Sequence, residues 1–405
     1  MKHSILAITI LATFILAALG MYSVDAQEND LDLDLQVDYQ FGSHISFVGT
    51  LQSSDEIARA VVFMRPNPGD ETRVLEAVIT ESAAIQHLEA STDLRISPIQ
   101  PFANVTYWWQ VDFVDGTTAS SHASEFRYDD NRFQWRQYSQ DRIAIFWVEG
   151  EQSRAEDLLL ITQDTLNILR QTLGLAPPDH VAIYLYPSVA DLQSGLRIGG
   201  APWIGAHTLP ELGVVLLAAS NGPESLISLE RDLPHELTHL LLFQRMGESY
   251  ANLPAWLNEG LATLQEKQVN PAYRFELEQA VEAAALLTTE SLCSSFPIAE
   301  TDALLAYAQS ASFTQYLLDV YGMGGILQLL DAYQEGTTCT GGVQRVYQRP
   351  LTQLEDEWKR VHLQSPTIWQ KLIPIMPWGL LIIPIVLLVL IGFAARKRHA
   401  GPSRG

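Results

Sequence analysis

Basic residues are scarce in this sequence. Its 405 residues hold 25 Lys and Arg against 47 Asp and Glu, a formal net charge of −22. Nucleic-acid binding needs clustered cations against phosphates, so this balance argues against DNA or RNA as a partner. The acid excess fits a solubilising surface better than a cationic partner. Cysteine is scarcer still, with only Cys293 and Cys339. Two cannot staple a fold, and sequence leaves open whether they form one disulfide outside the cell. Internal repeats and low-complexity tracts are also missing.

Apolar residues are plentiful, at 47%, and two continuous runs stand apart from any soluble core. The first, "ILAITILATFILAALG" at 5–20, follows Lys2 and His3 and leads to "VDAQ". Its small residues at Val24 and Ala26 make residues 1–26 a secretory signal peptide, an uncleaved anchor being the alternative. The second run, 372–395, would reach ~36 Å as a helix, enough to cross a bilayer with some tilt. The "RKRH" that closes it puts 396–405 in the cytoplasm and the body outside, a single-pass type I arrangement at the cell membrane. "NVT" at 104–106 is a glycosylation sequon only in a host that glycosylates.

Between these runs the texture changes once. Residues 27–133 contain "HISFVGTL", "ARAVVFMR", "RVLEAVIT" and "VTYWWQVDFV", separated by turn chemistry at "PNPGD" and "VDGT". Short strands at this spacing predict a β-sandwich of fibronectin or immunoglobulin type, with one of Trp108 and Trp109 in the core and the other on a face. Residues 134–364 instead alternate strands (142–150, 180–188, 212–220) with an amphipathic helix ending at Gly174. Helical periodicity then dominates at 234–246, 271–289, 302–321, 323–334 and 351–362. The plan is α+β: a mixed sheet followed by a helix-rich half.

The chemistry concentrates at "PHELTHLLLFQRMG", 234–247. On a helix, His235 and His239 lie on one face a turn apart and can address one ion, while Glu236 projects beside them as a general base would. Catalytic zinc takes three protein ligands and keeps a position for water. "PAWLNEGLAT" supplies a third candidate, Glu259, twenty positions after His239. Pro234 either starts the helix or interrupts a longer one that includes "ESLISLERDL"; both keep the histidines a turn apart.

With both motifs in view, residues of about 135–364 resemble the gluzincin metallopeptidases, in particular the peptidase MA-like group. The resemblance is strongest at 234–263 and implies a thermolysin-like catalytic domain with one Zn2+ per chain. His235, His239 and Glu259 would be the zinc ligands and Glu236 the catalytic base. It further implies that "GVVLLA", 213–218, is the sheet-edge strand that binds substrate backbone. Tyr307 would stabilise the oxyanion, and His207 is a weaker candidate. Two departures matter. Thermolysin-type enzymes carry an aspartate four residues after the third ligand, where this chain has Thr263, leaving the support of the ligand histidines unassigned. "PELGVVLLA" also lacks the G-x-M-E-N segment of exopeptidase relatives, which points to an endopeptidase. The expected function is a membrane-anchored extracellular zinc metallopeptidase acting on peptides or proteins. The alternative is a surface binding or adhesion protein whose peptidase domain keeps its metal without turnover.

Overall fold

Alternating polarity builds the first unit. The computed structural model describes residues 29–363 apart from 54, 83–84, 197–204, 221 and 223. The predicted signal peptide and the predicted span at 372–395 lie outside the described residues. Among the described residues no helix is long and apolar enough to cross a membrane. Among the described residues two compact units emerge, one reaching Trp135 with residues 193–196 added, the other made of the rest.

In the first unit the strands are β1 (Asn29–Asp30), β2 (Asp34–Gln40), β3 (His44–Gln52), β4 (Ile57–Arg65), β5 (Arg73–Glu76), β6 (Val78–Ser82), β7 (Ile85–Asp93), β8 (Asn104–Phe113), β9 (Thr118–Ser120) and β10 (Ser124–Arg127). One sheet runs β1-β9-β8-β4-β5, with β10 also on β8; the other runs β2-β3-β7-β6. Their inner faces enclose Ile45, Phe47, Val62, Leu88, Trp109 and Val111, all fully buried. Trp108, one residue along, turns to the other face and stacks on Phe63 at 5.2 Å. The run "RVLEAVIT" is two strands rather than one. The chain leaves β5, which pairs with β4, and enters the other sheet at β6, while Ala77 donates its N–H to the Ala60 carbonyl at the crossing.

The second unit opens on a five-stranded sheet ordered β11-β12-β13-β15-β14, formed by β11 (Arg136–Gln140), β12 (Ile143–Trp147), β13 (Val181–Tyr186), β14 (Ala206–Leu209) and β15 (Val214–Ala218). Strands β12, β13 and β15 are parallel, and the two outer strands run antiparallel. Here one expectation fails. The segment 213–218 is an inner strand, and the edge is β14. The reason is visible in β15 itself, where Val214 to Leu217 are all buried, the unbroken apolar pattern of a strand covered on both faces. The short "AHTL" of β14 has only two buried residues.

Helices α1 (Ser153–Leu173), α2 (Val189–Leu196) and α3 (Glu224–Met246) follow or interrupt the strands. α1 ends at Gly174 in the left-handed region, the geometry for which glycine is suited. Leu158 of α1 and Leu233, Leu237 and Leu240 of α3 pack with Ile183, Val215 and Leu217 of the sheet. The helical half adds α4 (Ala255–Thr263), α5 (Pro271–Glu282), α6 (Glu300–Gln334), α7 (Cys339–Tyr347) and α8 (Leu351–His362). Its core is built around Trp256, Phe313, Tyr333 and Trp358. The helix expected over 271–289 stops at Glu282. The pair expected at 302–321 and 323–334 is there: α6 is two helices that meet at a kink at Gly322, whose backbone is non-helical (φ 68°). Cys293 and Cys339 form a disulfide with Cα atoms 6.0 Å apart.

Candidate metal centre

α3 is longer than the metal motif requires, with Pro234 in its interior. His235, Glu236 and His239 therefore sit past the proline on an established helix, and Gly247 (φ 56°) follows its end. α4 carries the third candidate. Each letter of "WLNEG" has a physical task there. Trp256 and Leu257 are fully buried, with Trp256 edge-on to Phe313 at 5.1 Å. Gly260 lets α4 lie against α6: a Cβ at this position would sit 2.6 Å from the Ser310 carbonyl oxygen and would strike Thr314 as well. That approach leaves Asn258 and Glu259 facing α3.

The three expected ligands come together. His235 Nε2 lies 3.2 Å from Glu259 Oε2, and His239 Nε2 lies 3.4 Å from the same oxygen. One donor atom from each residue falls within 4.8 Å of the others. Bonds of ~2.0–2.1 Å in tetrahedral geometry would set ligand atoms ~3.3–3.4 Å apart, so the cluster fits a zinc ion. Charge is concentrated here. Burial pushes the His235 pKa downward, but the carboxylates of Glu259 and Glu266 on its two nitrogens win and hold it well above the ordinary value. His239 is raised in the same contest, chiefly by Glu259. Glu259, whose burial opposes ionisation, is held far below the usual carboxylate range by the two imidazoles.

The groups that hold these histidines were not legible in the sequence. His235 Nδ1 is 3.1 Å from Glu266 Oε1, and His239 Nδ1 is 3.0 Å from Asn258 Oδ1. Asn258 is fixed in turn by Tyr250, its Nδ2 donating to the hydroxyl at 3.0 Å. Thr263 plays no such part. It is buried, and its hydroxyl finds no partner among the described residues. Only Asn258, next to the ligand inside its motif, offered a signal.

Glu236 is nearly buried beside the cluster. Thr208 of the edge strand donates its hydroxyl to Glu236 Oε2 at 2.6 Å and also lies 3.0 Å from the Glu236 carbonyl. His207, the preceding residue, has its pKa lowered by burial and feels the charges of Glu236 and His239. Tyr307, on α6, lies 5.9 Å from His235 ring to ring and 5.0 Å from Phe296. The Glu259 charge and burial raise its pKa well above the usual tyrosine value. A cavity of about 310 Å³ opens over Glu259, walled by Tyr250, Leu253, Asn258, Phe296 and Tyr307.

The sequence profile of the peptidase MA superfamily matches residues 161–364, half of the chain. No curated protein matches. Among solved structures, an aminopeptidase N family protein from Idiomarina loihiensis is 8% identical, covering 81% of this chain and 75% of its own, with a TM-score of 0.37. A purple acid phosphatase from seeds of yellow lupin (Lupinus luteus) is 13% identical over 46% of this chain and 34% of its own, with a TM-score of 0.21. A structure described as that of a myokine is 9% identical over 25% of this chain and 98% of its own, with a TM-score of 0.20. None of the three superposes well enough to bear on the site.

Proposed function

The chain belongs to the peptidase MA superfamily, and on that premise we propose that it is a zinc metallopeptidase hydrolysing peptide bonds with activated water. The observation that carries this reading is the convergence of His235 Nε2 and His239 Nε2 on Glu259 Oε2, with the Glu236 charge near enough to act on both histidines. When bound, zinc lowers the pKa of a coordinated water to near 7 and polarises the scissile carbonyl. Glu236 accepts the proton released at the attacking oxygen and delivers it to the departing amine. Thr208 holds the carboxylate for that exchange. Tyr307, protonated at neutral pH, donates to the developing oxyanion. The cavity over Glu259 receives a side chain of the substrate.

The proposed substrates are internal bonds of peptides or proteins, because the chain lacks the segment with which exopeptidase relatives hold a free amino terminus. We place the enzyme outside the cell, exported by residues 1–26 and held at the membrane by 372–395. The Cys293–Cys339 disulfide supports an oxidising compartment.

Two substitutions test the roles. Glu236→Gln leaves the three ligands in place, so zinc should stay near one per chain while turnover of a peptide library falls by roughly 10²–10⁴. Glu259→Ala removes a ligand, and both zinc and turnover should go. Loss of metal from Glu236→Gln, or parental cleavage by Glu259→Ala, would overturn the assignments. A parent that binds zinc and cleaves nothing would favour a surface binding protein.

A further inference from the structure

Pro234 has no N–H to give the Glu230 carbonyl one turn back in α3. That carbonyl is taken all the same. The Lys267 backbone N–H donates to it at 3.1 Å. Two side chains fasten the same stretch: Gln268 Nε2 donates to Glu230 Oε2 at 3.1 Å, and Lys267 Nζ meets Asp164 of α1 at 2.5 Å. With Lys267 docked, the residue before it reaches the metal cluster. Glu266 Oε1 lies 3.1 Å from His235 Nδ1 and accepts from the Tyr273 hydroxyl at 3.2 Å. Its side chain is 2% exposed, so this carboxylate is built into the unit rather than resting on its surface.

We infer that Pro234 and Glu266 are positioning residues for His235: the acceptor freed by the proline docks residues 266–268, and Glu266 thereby fixes which ring nitrogen faces the metal. The inference rests on the metallopeptidase reading above. A neutral imidazole has one N–H and one lone pair. A carboxylate at Nδ1 selects the Nδ1–H form, leaving the Nε2 lone pair toward Glu259 and His239. Alanine at 234 would restore a helical N–H that competes with Lys267 for the Glu230 oxygen. The segment bearing Glu266 would then lose its backbone anchor. A proline merely tolerated in a helix makes the opposite forecast, because its replacement would improve the helix and leave the metal untouched.

The test uses full-length protein and the variants Glu266→Ala, Glu266→Gln and Pro234→Ala. Zinc affinity is read by competition with a chromophoric chelator, and metal-free melting temperatures are read beside it. Glu266→Ala should weaken zinc about 10–100-fold. Glu266→Gln should fall between it and the parent, since its amide oxygen still accepts from Nδ1–H without the charge. Pro234→Ala should weaken zinc about tenfold, in the range of such supporting contacts, while its metal-free melting temperature holds or rises. Parental affinity in both Glu266→Ala and Pro234→Ala overturns the inference and leaves the zinc reading standing. Parental affinity in Pro234→Ala alone overturns the proline's part. A parent that binds no zinc overturns both readings.

Discussion

His235 and His239 each have one nitrogen turned toward Glu259 and the other toward a fixed acceptor, Glu266 or Asn258. With metal removed, the raised pKa values of both imidazoles become a stability statement. Their contribution is complete below the unfolded histidine value of about 6.5 and is lost as pH climbs through the folded values. Glu259, held low, acts in the other direction: its share is complete above the ordinary glutamate value of 4.5 and is lost progressively as pH falls below it. Chelator-treated protein should therefore melt at progressively lower temperature as pH rises above about 6.5. Zinc needs deprotonated histidines and binds more tightly over the same range. The gap in melting temperature between zinc-loaded and chelated protein should widen, and a constant gap would contradict the assigned shifts. Thr208 offers a second check. Thr208→Val keeps the shape and removes the donor to Glu236, a charge-assisted bond worth about 1.5–3 kcal/mol. Turnover should fall roughly tenfold or more with zinc content unchanged. At this scale His235, Glu236 and His239 were readable as candidates because four-residue spacing on a helix is local geometry, whereas Glu259 was named through the "WLNEG" segment that carries the family resemblance. Thr208 and Glu266 were not, because their contacts exist only after β14 and the chain beyond α4 have packed against α3.

Among the elements, the α4–α6 contact sets how near Glu259 can come to the histidines. Gly260→Ala places a methyl group against the Ser310 carbonyl and Thr314, an overpacking that costs about 1–3 kcal/mol. A methyl group at Gly324, also within α6, would meet nothing within 4 Å, so Gly324→Ala should stabilise by about 0.5–1 kcal/mol. Opposite changes in melting temperature for the two variants would support the packing; equal changes would refute it. The central strands β12, β13 and β15 were legible as unbroken apolar runs. β2 and β7 were not, since "DLQVDYQ" and "IQHLEASTD" interleave polar residues along half-exposed faces. β14 escapes notice because four residues with mixed burial leave too short a pattern to read, and its apolar neighbour β15 then stands as the only visible candidate for the edge.

For the whole molecule, the sequence changes texture near residue 133, while the first compact unit reaches Trp135 and also takes in residues 193–196. The sandwich encloses its own core of fully buried side chains, so a fragment of 27–133 should fold alone, with β-type circular dichroism and a cooperative melt. A disordered fragment beside a folded full-length chain would move the boundary.

The proposed ligands, the proposed base and the groups on the far side of each histidine all fall between residues 235 and 266. Loops that short close at little entropic cost, and contacts of small sequence separation form early in folding. A chain delivered N-terminus first presents this whole stretch before Cys339 has emerged. On the metallopeptidase reading, metal capture and disulfide closure would thus be events separable in time, with the ion free to organise α3 against α4 before oxidation locks the later helices.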